Sequence, residues 1–319
     1  GYVLAGERVA DHTPGDGRPR HRLWRIRAGH VITATGAIER PLAFAGNDRP
    51  GVMLASAVRD YVRLYGVSPG DRTVIVTSND DAYRTALALL DAGLTVPAVI
   101  DARTSADGAL VQAVRERGVR VETGRGVSRV WGGRKGVTSV EICAQAGEGS
   151  PLEEIDCDCV AVSGGWSPVV HLWSHCGGKL NWDDARAMFV PDPERAPLNH
   201  DGTAMVSTAG AASGALQTDA ALADAAAAAD RVVEVLGLSV DIAVPQAEAT
   251  EEGKSEAVWM MPQGAAVKLR EKAFLDFQND VKVSDVQLAA REGFESVEHA
   301  KRYTTLGMAT DQGKLSNIN

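Results

Sequence analysis

Arg72-Thr73-Val74-Ile75-Val76-Thr77 runs directly into Ser78-Asn79-Asp80-Asp81 and then into Ala82–Ala92, where apolar residues recur at helical spacing up to Gly93. The first six residues are rich in β-branched side chains and predict a buried strand. Asp80 or Asp81 caps a helix predicted over Asp80–Ala92, and Gly93 stops it. Val96–Ile100 returns as a strand ending at Asp101. Ser105–Arg117 predicts a second helix and Val119–Glu122 a further strand. Consecutive β-α-β units require a parallel sheet. The succession of strand, turn, helix, strand and acid is that of a dinucleotide site. Asp101 follows Asp80 by 21 residues, the spacing of a ribose-binding acid. The turn contradicts the rest. A working site places glycines there so that backbone N–H groups approach a pyrophosphate. Thr77–Asp81 holds none, and two carboxylates stand where a phosphate would sit. Two acids at a helix start serve as caps. This nucleotide site therefore reads as inactive.

Working outward, Tyr2–Ala10 and His21–Arg27 alternate as strands around the Pro- and Gly-containing loop Thr13–Arg20, which predicts a hairpin. His30–Gly36 is a short apolar strand ending in Ala34-Thr35-Gly36. Strands are predicted near 127–131, 137–144 and 158–163, as an antiparallel meander, and at Ala204–Ser207. The small-residue loop Ala209–Thr218 precedes a long alanine-rich helix over Leu216–Leu236. Ser239–Glu256, with Pro245 and many Ala and Glu residues, reads as a linker or surface crossing. Beyond it, Ala273–Val283 is strand-like, and two helices start near Ser284 and Ser296.

Two glycine turns invite a ligand. Gly36 permits close backbone approach, although a strand-ending turn explains it as well. Ala209–Thr218 leaves a helix N-terminus open, with N–H groups available to an anion. Tight helix–sheet packing is the structural alternative there. Its recurrence with Ala34-Thr35-Gly36 and Gly164-Gly165-Trp166 favours a cofactor contact.

Other constellations carry less. The four cysteines include one close pair, Cys157 and Cys159. With no second cluster and no histidines at ligand spacing, reduced cytoplasmic thiols flanking a strand fit better than a metal site. His171 and His175 stand at i, i+4 without the carboxylate of a zinc helix, and read as surface or core histidines. No G-x-S-x-G is present. Asp183/Asp184 and Glu153/Glu154 read as solvated loop charge. No catalytic residue and no metal ligand is assigned. A net charge of −9 without a basic stripe argues against nucleic acid. No apolar run reaches membrane-spanning length, so a cytoplasmic protein is expected. The chain has 319 residues, lacks an initiator Met and stops after a helical pattern, and is expected to be an internal piece of a longer protein.

Ala34–Ala55 (A-T-G-A-I-E-R-P-L-A-F-A-G-N-D-R-P-G-V-M-L-A) resembles a block of sarcosine oxidase α subunits and their relatives, the α subunits of dye-linked proline dehydrogenases, opine oxidases and hydrogen cyanide synthases. Tyr2–Val9, Leu23–Arg27 and Val162–Pro168 continue the likeness. Phe277–Val281 and Lys301–Lys314 resemble the sarcosine oxidase branch in particular. Other branches use cysteines around 273–283 for a [2Fe–2S] cluster, and Phe274–Gln278 offers none. A related proline or opine dehydrogenase subunit, or another FAD/NAD-dependent oxidoreductase, is the alternative.

The resemblance implies an α/β, two-dinucleotide-domain fold of the FAD/NAD(P)-binding, glutathione-reductase-like kind, truncated at its N-terminus. A small α+β domain follows, similar to a [2Fe–2S] BFD-type domain without cluster cysteines. Residues 1–60 and 145–240 would be a partial first (NAD) domain, 61–144 an inserted degenerate second nucleotide domain, 241–268 a linker and 269–319 the cluster-less domain. The first glycine motif and its acid would precede Gly1. The family's heterotetramer oxidatively demethylates sarcosine with O2 and tetrahydrofolate, giving glycine, H2O2 and 5,10-methylenetetrahydrofolate. NAD would sit in this subunit, FAD and FMN elsewhere in the complex, and the folate module downstream. Partners would be the β, γ and δ subunits. The NAD contacts carried over are Ala211, Leu216 and Thr218, with Gly36 and Gly210 as lesser candidates. The piece alone is expected to be inactive.

Overall fold

The computed structural model describes residues 2–13, 15, 17–240, 243–249 and 251–318. Along the chain come β1 (Tyr2–Arg8), β2 (His21–Arg27), β3 (Val31–Thr33), β4 (Ala37–Glu39), β5 (Val52–Leu54), α1 (Ala55–Tyr65), β6 (Thr73–Thr77), α2 (Asp81–Asp91), β7 (Ala98–Asp101), α3 (Ala109–Glu116), β8 (Arg120–Thr123), β9 (Arg125–Gly133), β10 (Gly136–Ala144) and β11 (Pro151–Asp156). Then follow β12 (Cys159–Ser163), β13 (Trp166–Pro168), α4 (His171–His175), β14 (Leu180–Asp183), β15 (Met188–Pro191), β16 (Val206–Thr208), α5 (Thr218–Val235), α6 (Val267–Arg270), β17 (Phe274–Asp276), β18 (Val281–Lys282), α7 (Val283–Arg291) and α8 (Val297–Thr304).

The chain divides into two compact units, residues 1–37, 168–182 and 189–250, and residues 38–167, 183–188 and 251–319. The second is built on a parallel sheet in the order β5-β12-β6-β7-β8. Its strands alternate between two cores. Val74, Val76, Ile100, Val160 and Val162 face the antiparallel meander through Val127, Val130, Val140 and Ile142. Ile75, Val99 and Ala161 face the helices through Val58, Tyr83, Ala86, Leu89, Val111 and Val114. Cover on both faces is what a parallel sheet of β-branched residues requires.

The compact units part at 37/38 and at 167/168, and β5 and β12 pair in parallel inside the second unit's sheet. One expectation is corrected here. The meander is β9-β10-β11, and its third strand is Pro151–Asp156; the apolar run 159–163 is instead a central strand between β5 and β6. A linker is expected over 241–268. Asp241, Ile242 and Thr250 lie outside the described residues. From 251 onward the chain is docked on the second unit, with Val258 and Met261 buried in its core.

The C-terminal block, residues 269–318, belongs to the same unit. Ala273, Leu275 and Val283 pack on Ala43. Asn47 fastens the two segments, its Nδ2 donating to Phe274 O (2.8 Å) and its Oδ1 accepting from Phe274 N (2.8 Å).

In the first unit, β1 and β2 form the expected hairpin, and β3 pairs with β16 in parallel, Val31 to Thr33 opposite Val206 to Thr208.

Candidate functional site

Parallel pairing decides where the two glycine turns go. The chains leaving β3 and β16 emerge at the same edge, and Ala209 N–H still donates to Thr33 O (3.1 Å). Beyond β3, Thr35 Oγ1 donates to Val169 O (2.6 Å) and Val169 N–H to Gly36 O (2.9 Å), which pins Ala34-Thr35-Gly36 in place. Beyond β16 the chain makes a short 3-10 turn, Gly210–Ser213, before α5. Gly36 (φ +75°) and Gly210 (φ +66°) are both left-handed, a conformation that favours glycine. A Cβ on Gly36 would meet nothing within 4 Å. The backbone there faces open space that a ligand can approach closely.

The five carried-over residues thus lie in one unit, four of them between β16 and the first turn of α5 and Gly36 after the neighbouring strand. Their roles divide. The Gly210 N–H is already given to Asp224 Oδ2 (2.8 Å), and Ser213 Oγ donates both to Asp224 and to Gly210 O. Gly210 therefore shapes the turn rather than supplying a donor. Leu216 and Thr218 are exposed, and Ala211 is half-buried. Gln217 at the N-cap of α5 makes no side-chain cap, so the helix offers its first-turn N–H groups outward. Asp219, in that turn, has a buried Oδ1 with no hydrogen-bond partner. The outward N–H groups of the first turn can meet an anion. A cavity of about 420 Å³ in the same unit is lined by Trp173, Pro191, Val206, Ser213, Asp224 and Arg231 among others, and by none of the five carried-over residues. Asp219 and Asp224 were missed because an acid in an alanine-rich helix reads as surface charge.

The second nucleotide domain has the geometry of a site and the wrong chemistry. Its crevice lies at the carboxyl ends of β6 and β12. Asn79 Nδ2 fills that point, donating to Ser163 O (3.1 Å) and Oγ (3.0 Å). Asp101 is fully buried and fully engaged. It accepts from Tyr83 Oη (2.8 Å), from Arg103 N (3.0 Å) and from Arg103 Nη2 (2.7 Å). Arg103 Nη2 also lies 2.8 Å from Asp80 Oδ1. Burial, then the adjacent Asp101 carboxylate, pushes the Tyr83 phenol up. Burial alone would lower the Arg103 guanidinium, but hydrogen bonds and charge from Asp101 and Asp80 prevail and raise it. Every group a ribose would need is committed inside the protein.

The Gly164-Gly165 pair has a packing explanation. Arg40, buried, donates through Nε to Gly164 O (3.0 Å) and through Nη1 to Ala187 O. A Cβ on Gly165 would lie 2.5 Å from Arg40 Nη2. Burial holds the Arg40 guanidinium down at about 10.

Among the described residues no group of three or more His, Cys, Asp or Glu side chains could hold a metal. Cys157 and Cys159 pack into different cores, on the meander side and the helix side of the sheet, so they do not converge on one ion. In the C-terminal block Asp276 does the organising. Its Oδ1 accepts from Gln278 N (2.9 Å) and Asn279 N (3.0 Å), and its Oδ2 from Gly307 N (2.8 Å). Among the described residues no helix is long and apolar enough to cross a membrane.

Comparison with known proteins agrees with this architecture. Residues 270–319 match the sarcosine oxidase A3 domain. The chain is 43% identical, over 99% of its length and 30% of the relative's, to the sarcosine oxidase subunit alpha of Rhizobium meliloti. It is 42% identical to that of Corynebacterium sp. strain P-1, over 99% of the chain and 33% of the relative. It thus spans about a third of the length of these relatives. The L-proline dehydrogenase of P. horikoshii shares the fold, with a TM-score of 0.64 at 18% identity, over 93% of this chain and 54% of that one. Over 99% of its length, therefore, the chain is similar to one segment of sarcosine oxidase α subunits, and residues 270–319 match the A3 domain of those proteins.

Proposed function

We propose that the chain is the cofactor-holding and partner-contacting part of an oxidoreductase subunit in a sarcosine oxidase complex. The complex would oxidatively demethylate sarcosine with O2 and tetrahydrofolate to glycine, H2O2 and 5,10-methylenetetrahydrofolate, in the cytoplasm. FAD and FMN would serve elsewhere in the complex, folate would bind a module outside this chain, and β, γ and δ subunits would complete it. NAD is assigned to the wall formed by Gly36 and by Gly210, Ala211, Leu216 and Thr218, as a tightly held group without a redox step.

The observation that carries this reading is the parallel register of β3 and β16, which brings a left-handed glycine turn and the uncapped N-terminus of α5 to one edge. The chain's own contribution is to bind. The N–H groups of the first turn of α5 would face the pyrophosphate, and Gly36 would let the backbone approach. The test is to extract and quantify nucleotide from the intact purified complex. One NAD per α subunit is expected, with iron absent. Gly36→Val is expected to lower the NAD content at least tenfold while the subunits still assemble. Stoichiometric iron with acid-labile sulfide, or unchanged NAD in the Gly36 variant, would refute the assignment.

A further inference from the structure

Residues 251–256 cross the mouth of the second nucleotide domain, and each part of that mouth holds them. Gly253 N–H donates to Asp80 Oδ2 (2.7 Å), at the turn after β6. Glu256 N–H donates to Ser78 O (3.0 Å) in the same turn. Arg103, just past β7, donates through Nη1 to Lys254 O (3.2 Å). Arg84 of α2 binds the Glu252 carboxylate. The contacts match in charge at both ends, with a backbone N–H meeting the Asp80 carboxylate and a carboxylate meeting the Arg84 guanidinium.

The fit also depends on size. A Cβ on Gly253 would come within 3.3 Å of Asp80 Oδ2 and 3.4 Å of Arg103 Nη1, and one on Gly108 within 2.7 Å of Asp80 Oδ2. The Asp80 carboxylate is thus closely packed between Gly108 and Gly253. In an active dinucleotide fold this position, at the turn between the first strand and its helix, belongs to the pyrophosphate.

We propose that residues 251–256 are a tethered peptide ligand of the second nucleotide domain and permanently replace a dinucleotide there. The mouth has become a peptide-binding groove whose preferred partner is an acidic, glycine-containing strand of the same chain. Pyridine nucleotides do not displace it, so a hydride cannot enter the protein by this route.

Hydrogen exchange on the intact protein tests this. The Gly253 and Glu256 amides are expected to exchange at least ~100-fold more slowly than those of 246–249. Asp80→Asn is expected to speed Gly253 by about tenfold, while the β6 amides keep their protection and so certify the fold. Glu252→Gln, which alters only the peptide, is expected to act in the same direction. Excess NADH or NADPH is expected to change none of these rates. Rapid exchange at 253–256 in the unaltered protein would overturn the proposal. So would a nucleotide that speeds exchange at 253–256 while protecting 78–81. Neither result bears on NAD content at the other unit.

Discussion

Arg103 grips Asp101 with two prongs, Nε to Oδ1 at 3.0 Å and Nη2 to Oδ2 at 2.7 Å, and the same Nη2 reaches Asp80. One cation thereby compensates two carboxylates that are 0% and 2% exposed. Removing one partner of a buried ion pair leaves the remaining charge uncompensated, at about 3–5 kcal/mol. Arg103→Ala is expected to lower stability by that order, read from urea unfolding followed at the second unit. A loss under 1 kcal/mol would show that water enters and solvates both acids.

The Asp276 carboxylate makes a comparable commitment in the C-terminal block. Asp276→Ala strips the acceptor from three backbone N–H groups, those of Gln278, Asn279 and Gly307. Buried donors left unpaired cost about 1–3 kcal/mol each, less where water reaches them. A total near 3 kcal/mol is expected, with limited proteolysis releasing fragments from 270–318 first. Equal protease resistance in variant and parent would remove Asp276 from this role.

Thiol reactivity should separate the cysteines sharply. Burial pushes the Cys143 and Cys159 thiols up to about 11 and that of Cys157 to about 12. Cys176 is exposed. Only the thiolate reacts. Iodoacetamide at pH 7.5 is therefore expected to modify Cys176 roughly 100-fold faster than the other three, as peptide mass mapping would read. Fast labelling of Cys157 would contradict its packing in the sheet core.

Glu39 supplies a pH dependence. Burial raises its carboxyl above the ordinary value of 4.5, against hydrogen bonds from Ser56 and Ser163 that lower it. A raised acid binds its proton more tightly in the folded state. Its contribution to stability is full below the unfolded value and is lost as pH climbs through the folded one. Glu39→Gln should abolish that loss. Tm is expected to improve relative to the parent as pH rises from 5 to 8, and a difference constant across that range would refute the assignment.

The β6-α2-β7-α3-β8 part of the parallel sheet was legible because Thr73–Thr77 is an unbroken β-branched run and Ala98–Asp101 an apolar run that ends in an acid, with helical spacing between them. Pro151–Asp156 was not legible as a strand. It is an edge strand with an exposed, glutamate-rich face, so it lacks the alternation that marks a half-buried one. Its absence from the reading let the run at 159–163 be taken for the meander's last strand. Helix α1 escaped notice because Ala55–Tyr65 leaves Tyr61, Leu64 and Tyr65 exposed, which blurs its apolar face. At the turns after β3 and β16 the glycines were readable, since left-handed turns leave a signature in residue type. The engagement of Gly210 by Asp224 was not, because nothing in an alanine-rich helix marks which acid turns inward. Glu251–Glu256 looked like solvated linker for a related reason. Its partners Asp80, Arg84 and Arg103 lie some 150 to 170 residues upstream, and a local pattern carries no information about them.

The Asp80 carboxylate has a consequence for any phosphate site at this turn. It repels a phosphate, accepts from Gly253 and balances Arg103 at once. Exchanging it for the glycine that a phosphate would want leaves Arg103 with Asp101 alone and takes the acceptor from the Gly253 N–H. Deleting the peptide first uncovers a carboxylate that still rejects the ligand. Each single step away from the present arrangement loses stability and regains no binding. A phosphate site at this turn would therefore take at least two coordinated changes, one at Asp80 and one in the crossing peptide, and no single substitution is expected to create it.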